Sequence, residues 1–277
     1  MKVKIAEVIG FCFGVERAID IALKASKEGE VFTLGPLIHN KEVIEDLEKK
    51  GIKIANSVKE IKSKKMIIRA HGAPPSIYEE AKIFEKEIYD GTCPYVKLVQ
   101  NKAKELFEEG YEVVIIGKKE HPEIKGVLGY IQNKGIVITS EEDVHKYDFN
   151  KKRIGIVVQT TFREDIFLNI VNRILEKSFE VKIFNTRCPD TKLRQKNIME
   201  LAKECDVMII VGGKDSSNTK RLFEISKKYS KKAYHIEKPE EIKKEWFKNA
   251  NSVGVAGGSS TPKEIVLKVK EIIENID

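Results

Sequence analysis

One pattern occurs three times in the chain and constrains its fold more than any other feature: a cysteine set directly ahead of a helical stretch. It reads FCFGVERAID around Cys12, DGTCPYVKLVQNKAKELF around Cys93 and NTRCPDTKLRQKNIMELA around Cys188. Proline follows the second and third cysteines. Its missing N–H costs nothing at the first position of a helix, so Cys93 and Cys188 are expected to sit where helices begin. A helix start offers unpaired N–H groups and partial positive charge, which favour the reactive, metal-binding thiolate. A single such cysteine would read as a small buried hydrophobe; three at three helix starts point to thiolate chemistry.

The cysteines set the register of an internal repeat. From Cys12 to His39 is 27 residues, from Cys93 to His121 is 28, and from Cys188 to Ser216 is 28. In each interval the helix is followed by a short apolar strand (EVFTL, YEVVIIG, DVMIIVG) and a polar loop (GPLIHN, GKKEHPE, GGKDSSN). A second helix follows, then IKIANSVKEI, IVITSEEDVH or AYHIEKPEEI, and a closing strand in KKMIIRAHGAPP, KRIGIVVQTTFRED or NSVGVAGGSSTPKE that delivers another polar tip and helix. Alternating β and α elements are the signature of parallel sheets with crossover helices. The expected fold is therefore α/β, with three pseudo-threefold-related units covering 1–90, 91–185 and 186–277, the last including a C-terminal helix. The repeat also sorts the fourth cysteine. Cys205 aligns with Gly29 and Gly110, which close helices ahead of a strand, and is expected to be a packing residue.

Ligands of open parallel sheets bind beyond the carboxyl ends of the strands. Those ends carry His39, His71, His121, Glu123, Thr160, Ser216, Asn218 and Ser260. A threefold arrangement would turn these ends and the three cysteines toward one cavity. The imidazoles, hydroxyls and amide are hydrogen-bond donors without a lysine, suited to fixing phosphate oxygens. Glu123, beside His121 in HPE, is a proton-donor candidate. Three of the five histidines occupy equivalent strand ends, and His145 and His235 are expected at the surface. Three cysteines spaced by 81 and 95 residues would serve a zinc ion with an open position or an iron–sulfur cluster with one iron lacking a protein ligand, and the spacing does not choose.

Composition bounds the remaining possibilities. No apolar run approaches the ~20 residues of a membrane helix, and MKVKIAEVIG lacks the features of a secretory signal. A cytoplasmic, non-membrane protein is expected, whose four cysteines do not make a disulfide framework. The net charge of +7 comes mainly from lysines interleaved with glutamates on helix faces, which argues for a solvated surface rather than a nucleic-acid interface.

The motifs GFCFGVERA, LIHN, AHG, TCP, HPE, QTT, TRCPDTKLRQ, SSN and GSSTP, in this order over nearly the whole chain, closely resemble the 4-hydroxy-3-methylbut-2-enyl diphosphate reductase (LytB) family. The resemblance implies a trefoil of three α/β units around a [4Fe-4S] cluster held by Cys12, Cys93 and Cys188, with the fourth iron free to take the substrate hydroxyl. It implies a diphosphate pocket of His39, His71, Ser216, Asn218 and Ser260 with Ser217 adjacent. His121 would lie beside the substrate chain, Thr160 and Glu123 would form the proton relay, and Thr191, Gln159 and Thr161 would support them. The implied reaction is reductive removal of the allylic hydroxyl to give isopentenyl and dimethylallyl diphosphate, the last step of the non-mevalonate isoprenoid pathway. Pro189 and Asp190 depart from the small residues common at those places in the family. The chain lacks a dinucleotide fingerprint, so a separate ferredoxin or flavodoxin is the expected electron donor, and a monomer the expected state. The other readings are a quinolinate-synthase-like cluster dehydratase, a non-catalytic iron–sulfur sensor and a zinc hydrolase, which would be colourless.

Overall fold

The computed structural model describes residues 1–276. Its strands form three four-stranded sheets, all with parallel pairing. In chain order the strands are β1 (Lys2–Ile5), β2 (Val31–Leu34), β3 (Ile52–Ala55), β4 (Lys65–Ile68), β5 (Glu87–Asp90), β6 (Glu112–Ile116), β7 (Ile136–Ile138), β8 (Arg153–Val158), β9 (Glu180–Phe184), β10 (Val207–Val211), β11 (Lys232–Ile236) and β12 (Ser252–Gly257). The helices are α1 (Phe13–Ser26), α2 (Lys41–Lys49), α3 (Pro75–Ile83), α4 (Pro94–Glu108), α5 (Pro122–Tyr130), α6 (Glu164–Leu175), α7 (Pro189–Glu204), α8 (Ser217–Tyr229) and α9 (Lys263–Glu274).

The sheets share one order: β3-β2-β4-β5, β7-β6-β8-β9 and, read from its other edge, β11-β10-β12-β1. The fourth strand of each is the one that leads into a cysteine. In the C-terminal sheet that strand is β1, whose Lys2 to Ile5 pair in register with Ser252 to Val255. Lys2 to Ile5 thus complete the sheet built by the last third of the chain. The repeat pattern does not include β5 and β9, and the strand-like alternation at the N-terminus joins the last sheet rather than the first.

The repeat persists in the hydrogen bonds. The glycine after the first repeat strand donates to the end of its neighbour three times: Gly35 N–H to Ala55 O at 2.8 Å, Gly117 to Ile138 at 2.9 Å and Gly212 to Ile236 at 2.9 Å. An acid in each 3-10 turn that follows collects the backbone N–H of a preceding residue: Glu60 from Asn56, Asp143 from Thr139 and Glu241 from Glu237, at 2.9, 3.0 and 2.8 Å. Three independent accidents of loop geometry would not place the same bonds at the same register.

Alternating strand residues point to opposite faces, and both faces are covered, so the central strands are continuous apolar runs. Val114 and Ile116 of β6 pack with Ile154, Ile156 and Val158 of β8 against Phe167, Ile170 and Ile174 of α6. Val113 and Ile115 face the other way, onto Val99, Ala103 and Leu106 of α4 and Val127 of α5. The C-terminal sheet does the same: Val207, Ile209 and Val211 meet Val266, Val269 and Ile273 of α9, while Met208 and Ile210 meet Ile198, Ala202 and Leu222 of α7 and α8. Cys205 is 5% exposed within this second cluster, a packing residue as its alignment with Gly29 and Gly110 predicts.

By backbone contacts the chain divides into two compact units, one of residues 1–16, 38–47 and 189 onward, the other of 17–37 and 48–188. The first holds the C-terminal sheet and the second holds the other two sheets.

Candidate functional site

Each of the three repeated cysteines lies at a helix start, as its flanking sequence predicts. The Cys12 carbonyl accepts the N–H of Glu16 at 3.0 Å in the first turn of α1, and that of Cys93 accepts Lys97 N–H at 3.0 Å in α4. Cys188 directly precedes Pro189, the first residue of α7. All three are half-buried. Their own N–H groups are fixed in one way throughout: Cys12 donates to Ser259 O at 3.0 Å, Cys93 to Ala70 O at 3.0 Å and Cys188 to Thr160 O at 2.9 Å. Each acceptor lies in the tip loop after the third repeat strand, and Ser260, His71 and Thr160 lie in these same loops. The fold therefore ties each thiol to a loop that carries a polar candidate.

In the larger unit these ties assemble a compact group. Glu123, in the first turn of α5, is 1% exposed. Its two carboxyl oxygens accept separate bonds from one residue, the Thr160 N–H at 2.8 Å and the Thr160 Oγ1–H at 2.7 Å. Burial pushes its pKa up from 4.5 to about 7, against the two Thr160 bonds, which act the other way. A carboxyl group in this condition carries its proton near neutrality and can give it up. His121 caps α5, its Nδ1 accepting Glu123 N–H at 3.2 Å, and its ring meets that of His71 edge-on with centroids 5.5 Å apart. Burial raises the Cys93 thiol pKa and the N–H groups of Tyr95 and Val96 oppose this, while the nearby Cys188 and Glu123 add a smaller upward push. Cys93, Cys188 and Glu123 are thus near enough to sense one another's charge.

Gln159 is a support. Its Oε1 accepts Lys118 N–H at 3.0 Å and its Nε2 donates to Thr161 Oγ1 at 3.1 Å, bracing the loops that present Thr160 and His121.

The smaller unit brings together the remaining candidates around α8. Ser216 caps that helix, its Oγ accepting Thr219 N–H at 3.3 Å. Ser260 Oγ donates to the His39 carbonyl at 3.3 Å, and Gly213 lies so close to that carbonyl that a Cβ would stand 2.2 Å from it. Only glycine at 213 lets the His39 loop seat there. Asn218 is 3% exposed, yet neither Oδ1 nor Nδ2 has a hydrogen-bond partner. Leaving a buried amide unsatisfied costs on the order of 1–3 kcal/mol. This unbonded amide stands in the first turn of α8, directly after Ser216 and Ser217.

Thr191 is buried in α7. Asp190 forms an ion pair with Arg194 at 2.8 Å, and Arg194 donates to Gly10 O at 3.0 Å in the segment before Cys12. The acid is therefore held by an arginine that braces the first cysteine's approach. Of the two histidines expected at the surface, His145 is exposed but His235 is half-buried, its Nε2 lying 2.8 Å from Gly212 O; the edge strand β11 packs it against Phe223. Two further buried residues were not singled out from sequence: Asn40, whose Oδ1 accepts Val43 N–H at 3.2 Å at the start of α2, and Thr219, whose Oγ1 is also without a partner. Asn40 stood in the LIHN motif, and Thr219 follows SSN.

Among the described residues, no group of three or more His, Cys, Asp and Glu side chains is placed to hold a single metal ion. Cys93 and Cys188 of the larger unit and Cys12 of the smaller are soft thiols at helix starts, each on its own loop, the donor type that suits an iron–sulfur cluster, in which each thiolate serves a different iron. No helix is long and apolar enough to cross a membrane among the described residues.

The comparisons with known proteins agree with one another. A profile of the LytB protein family matches residues 3–274. The 4-hydroxy-3-methylbut-2-enyl diphosphate reductase of Dictyoglomus thermophilum is 47% identical over 98% of this chain and 96% of its own, and that of Aquifex aeolicus is 44% identical over the same shares. A solved structure of (E)-4-hydroxy-3-methyl-but-2-enyl diphosphate reductase, described as the terminal enzyme of the non-mevalonate pathway, is 44% identical and superposes with a TM-score of 0.72 over the full length of both chains. The corresponding reductase of Plasmodium falciparum is 27% identical and superposes with a TM-score of 0.95 over 99% of this chain and 88% of its own.

Proposed function

The chain belongs to the LytB family, and we propose that it is an oxidoreductase acting as its relatives are named to act, on 4-hydroxy-3-methylbut-2-enyl diphosphate. The allylic C–O bond breaks, two electrons and two protons are consumed, and isopentenyl or dimethylallyl diphosphate leaves with one water. The observation that carries the reading is the buried Glu123, clasped through both oxygens by Thr160 and holding a proton to about pH 7 in the same unit as Cys93 and Cys188.

Cys12, Cys93 and Cys188 would hold a [4Fe-4S] cluster, which would supply the electrons and Lewis acidity for loss of the hydroxyl. The chain's own residues do the rest. His39, His71, Ser216, Ser217, Asn218 and Ser260 receive the diphosphate, and the orphaned Asn218 amide gains the partners it lacks. This fixes the substrate at one end and orients its reacting end. With substrate bound, the Thr160 hydroxyl would turn its O–H from Glu123 to the departing oxygen and take the Glu123 proton in exchange, so that the two residues together deliver one proton. His121 flanks the substrate chain, and Thr191 and Gln159 keep the loops in place. Electrons come from an acidic ferredoxin or flavodoxin, to which the net charge of +7 is complementary. The protein works as a cytoplasmic monomer.

The test is Mössbauer spectroscopy of anaerobically purified protein with and without 4-hydroxy-3-methylbut-2-enyl diphosphate. Four irons, one of which changes its signal with the diphosphate, are expected. A cluster indifferent to the diphosphate would overturn the substrate assignment, and a colourless, zinc-bearing protein would overturn the redox chemistry.

A further inference from the structure

The function proposed above uses no contact of Arg69, and its surroundings are unusual for an arginine. It follows β4 and lines a cavity of about 410 Å³ at the carboxyl ends of β2, β3 and β4, within the larger unit. The side chain is half-buried, and among the described residues no carboxylate pairs with it; burial alone pulls its pKa down. A guanidinium drawn from water without a counter-charge is unfavourable unless something else meets it. Gly35, in the left-handed region at φ +73°, leaves it room, because a Cβ there would stand 2.8 Å from Nη1.

The cavity is amphipathic. Asn56 and Lys125 add polar groups to Arg69, although Lys125 is partly engaged by Glu120 at 3.1 Å. Pro36, Pro74 and Ile77 form apolar wall. Its volume falls in the range of about 300–1,000 Å³ typical of small-molecule sites. Arginine's planar fork matches the two oxygens of a carboxylate or phosphate.

We propose that this cavity is a second anion site, in which Arg69 receives the phosphate or carboxylate of a small molecule whose apolar body lies against Pro36, Pro74 and Ile77. None of Glu123, Thr160, His71 and His121 lines it. Gly72 and Pro122 do, and they are the chain neighbours of the two histidines, so an occupant would stand behind the His71–His121 pair. On the function proposed above, isopentenyl diphosphate is itself a ligand of this class.

Anaerobic titration calorimetry of the holoenzyme tests the proposal, with isopentenyl diphosphate, inorganic pyrophosphate and isopentenol as probes. Two classes of site for isopentenyl diphosphate are expected. Arg69→Gln should weaken one by tenfold or more, Arg69→Lys should restore part of that loss, and Asn218→Ala should weaken only the other. Isopentenol should not bind at the Arg69 site, and pyrophosphate should bind there more weakly than isopentenyl diphosphate. A single class of site unaffected by Arg69→Gln, in protein that melts as the wild type does, would overturn the proposal. Equal binding of pyrophosphate would overturn the apolar half of it. Failure of the catalytic reading shows differently: Asn218→Ala would then change nothing while Arg69→Gln still removed a site.

Discussion

Replacing Thr160 with valine keeps the shape of the side chain and the backbone N–H, and removes one of the two hydrogen bonds that Glu123 accepts. Burial holds the Glu123 pKa near 7 despite those bonds, which favour the charged form. Losing one of them must therefore raise the pKa further. A hydrogen bond to a charged group is worth about 1.5–3 kcal/mol, and about 1.4 kcal/mol is one pKa unit, so the rise should be roughly one to two units. Turnover that needs the protonated acid falls as pH passes its pKa. The wild-type rate should decline above about pH 7, and the descending limb of Thr160→Val should lie one to two pH units higher, whatever its maximum rate. Stability carries the same sign. Because the folded pKa lies above the ordinary value, the stabilisation is complete below about 4.5 and is lost as pH rises through about 7. The gap from 4.5 to about 7 corresponds to about 3 kcal/mol, most of which the wild type should lose between pH 5 and pH 8 and Glu123→Gln should not. The assays are the pH–rate profile under a saturating chemical reductant and anaerobic thermal melts at the two pH values. A Thr160→Val limb that stays put or moves to lower pH refutes the assignment of Glu123 as the buried acid.

Three further substitutions separate roles that the structure assigns to neighbouring groups. Cys205→Ser should retain iron and activity in anaerobic iron analysis, whereas serine at Cys12, Cys93 or Cys188 should lose iron; loss of iron from Cys205→Ser would refute its place as a core residue. Asn218→Ala removes a buried amide that has no partner, so the melting temperature of the substrate-free protein should not fall, while KM rises by about tenfold or more. A fall in melting temperature with KM unchanged would mean that the amide serves packing. Gly213→Ala would put a Cβ 2.2 Å from the His39 carbonyl, so it should shift that loop and raise KM with little effect on the iron signal; unchanged kinetics would show that the His39 loop does not position substrate.

How much of this was legible in the sequence depended on whether a feature was local. The cysteine–proline pairs, the apolar runs and the positions of His121, Ser216 and Thr160 at strand ends follow from rules that operate within a few residues, and the helix starts at Cys93 and Cys188 match them. The fourth strands of two of the sheets, β5 and β9, were not visible, whereas the alternation in MKVKIAEVIG does read as a strand. EIYD and EVKIF are short edge segments, exposed or half-buried along their length, and lack the continuous apolar run of a strand covered on both faces. Nor could a pattern read in chain order show that Lys2 to Ile5 pair with Ser252 to Val255. That pairing bears on function, because each edge strand is followed within seven residues by a cysteine whose N–H is pinned to a neighbouring tip loop. Asn218 illustrates the same limit. Its SSN motif is an ordinary helix cap by sequence, and only three-dimensional burial reveals an amide with nothing to bond. The chemistry-bearing residue types are thus written in the chain, whereas the clasp between Thr160 and Glu123, residues 37 positions apart, arises from sheet order and cannot be read from spacing. A threefold repeat therefore accounts for where the thiols stand, and the departures from the repeat account for what stands beside them. Equivalent loops place a histidine and a glutamic acid after β6 but a serine and an asparagine after β10, so one scaffold presents a buried carboxyl group in one place and a capping hydroxyl with an unbonded amide in another.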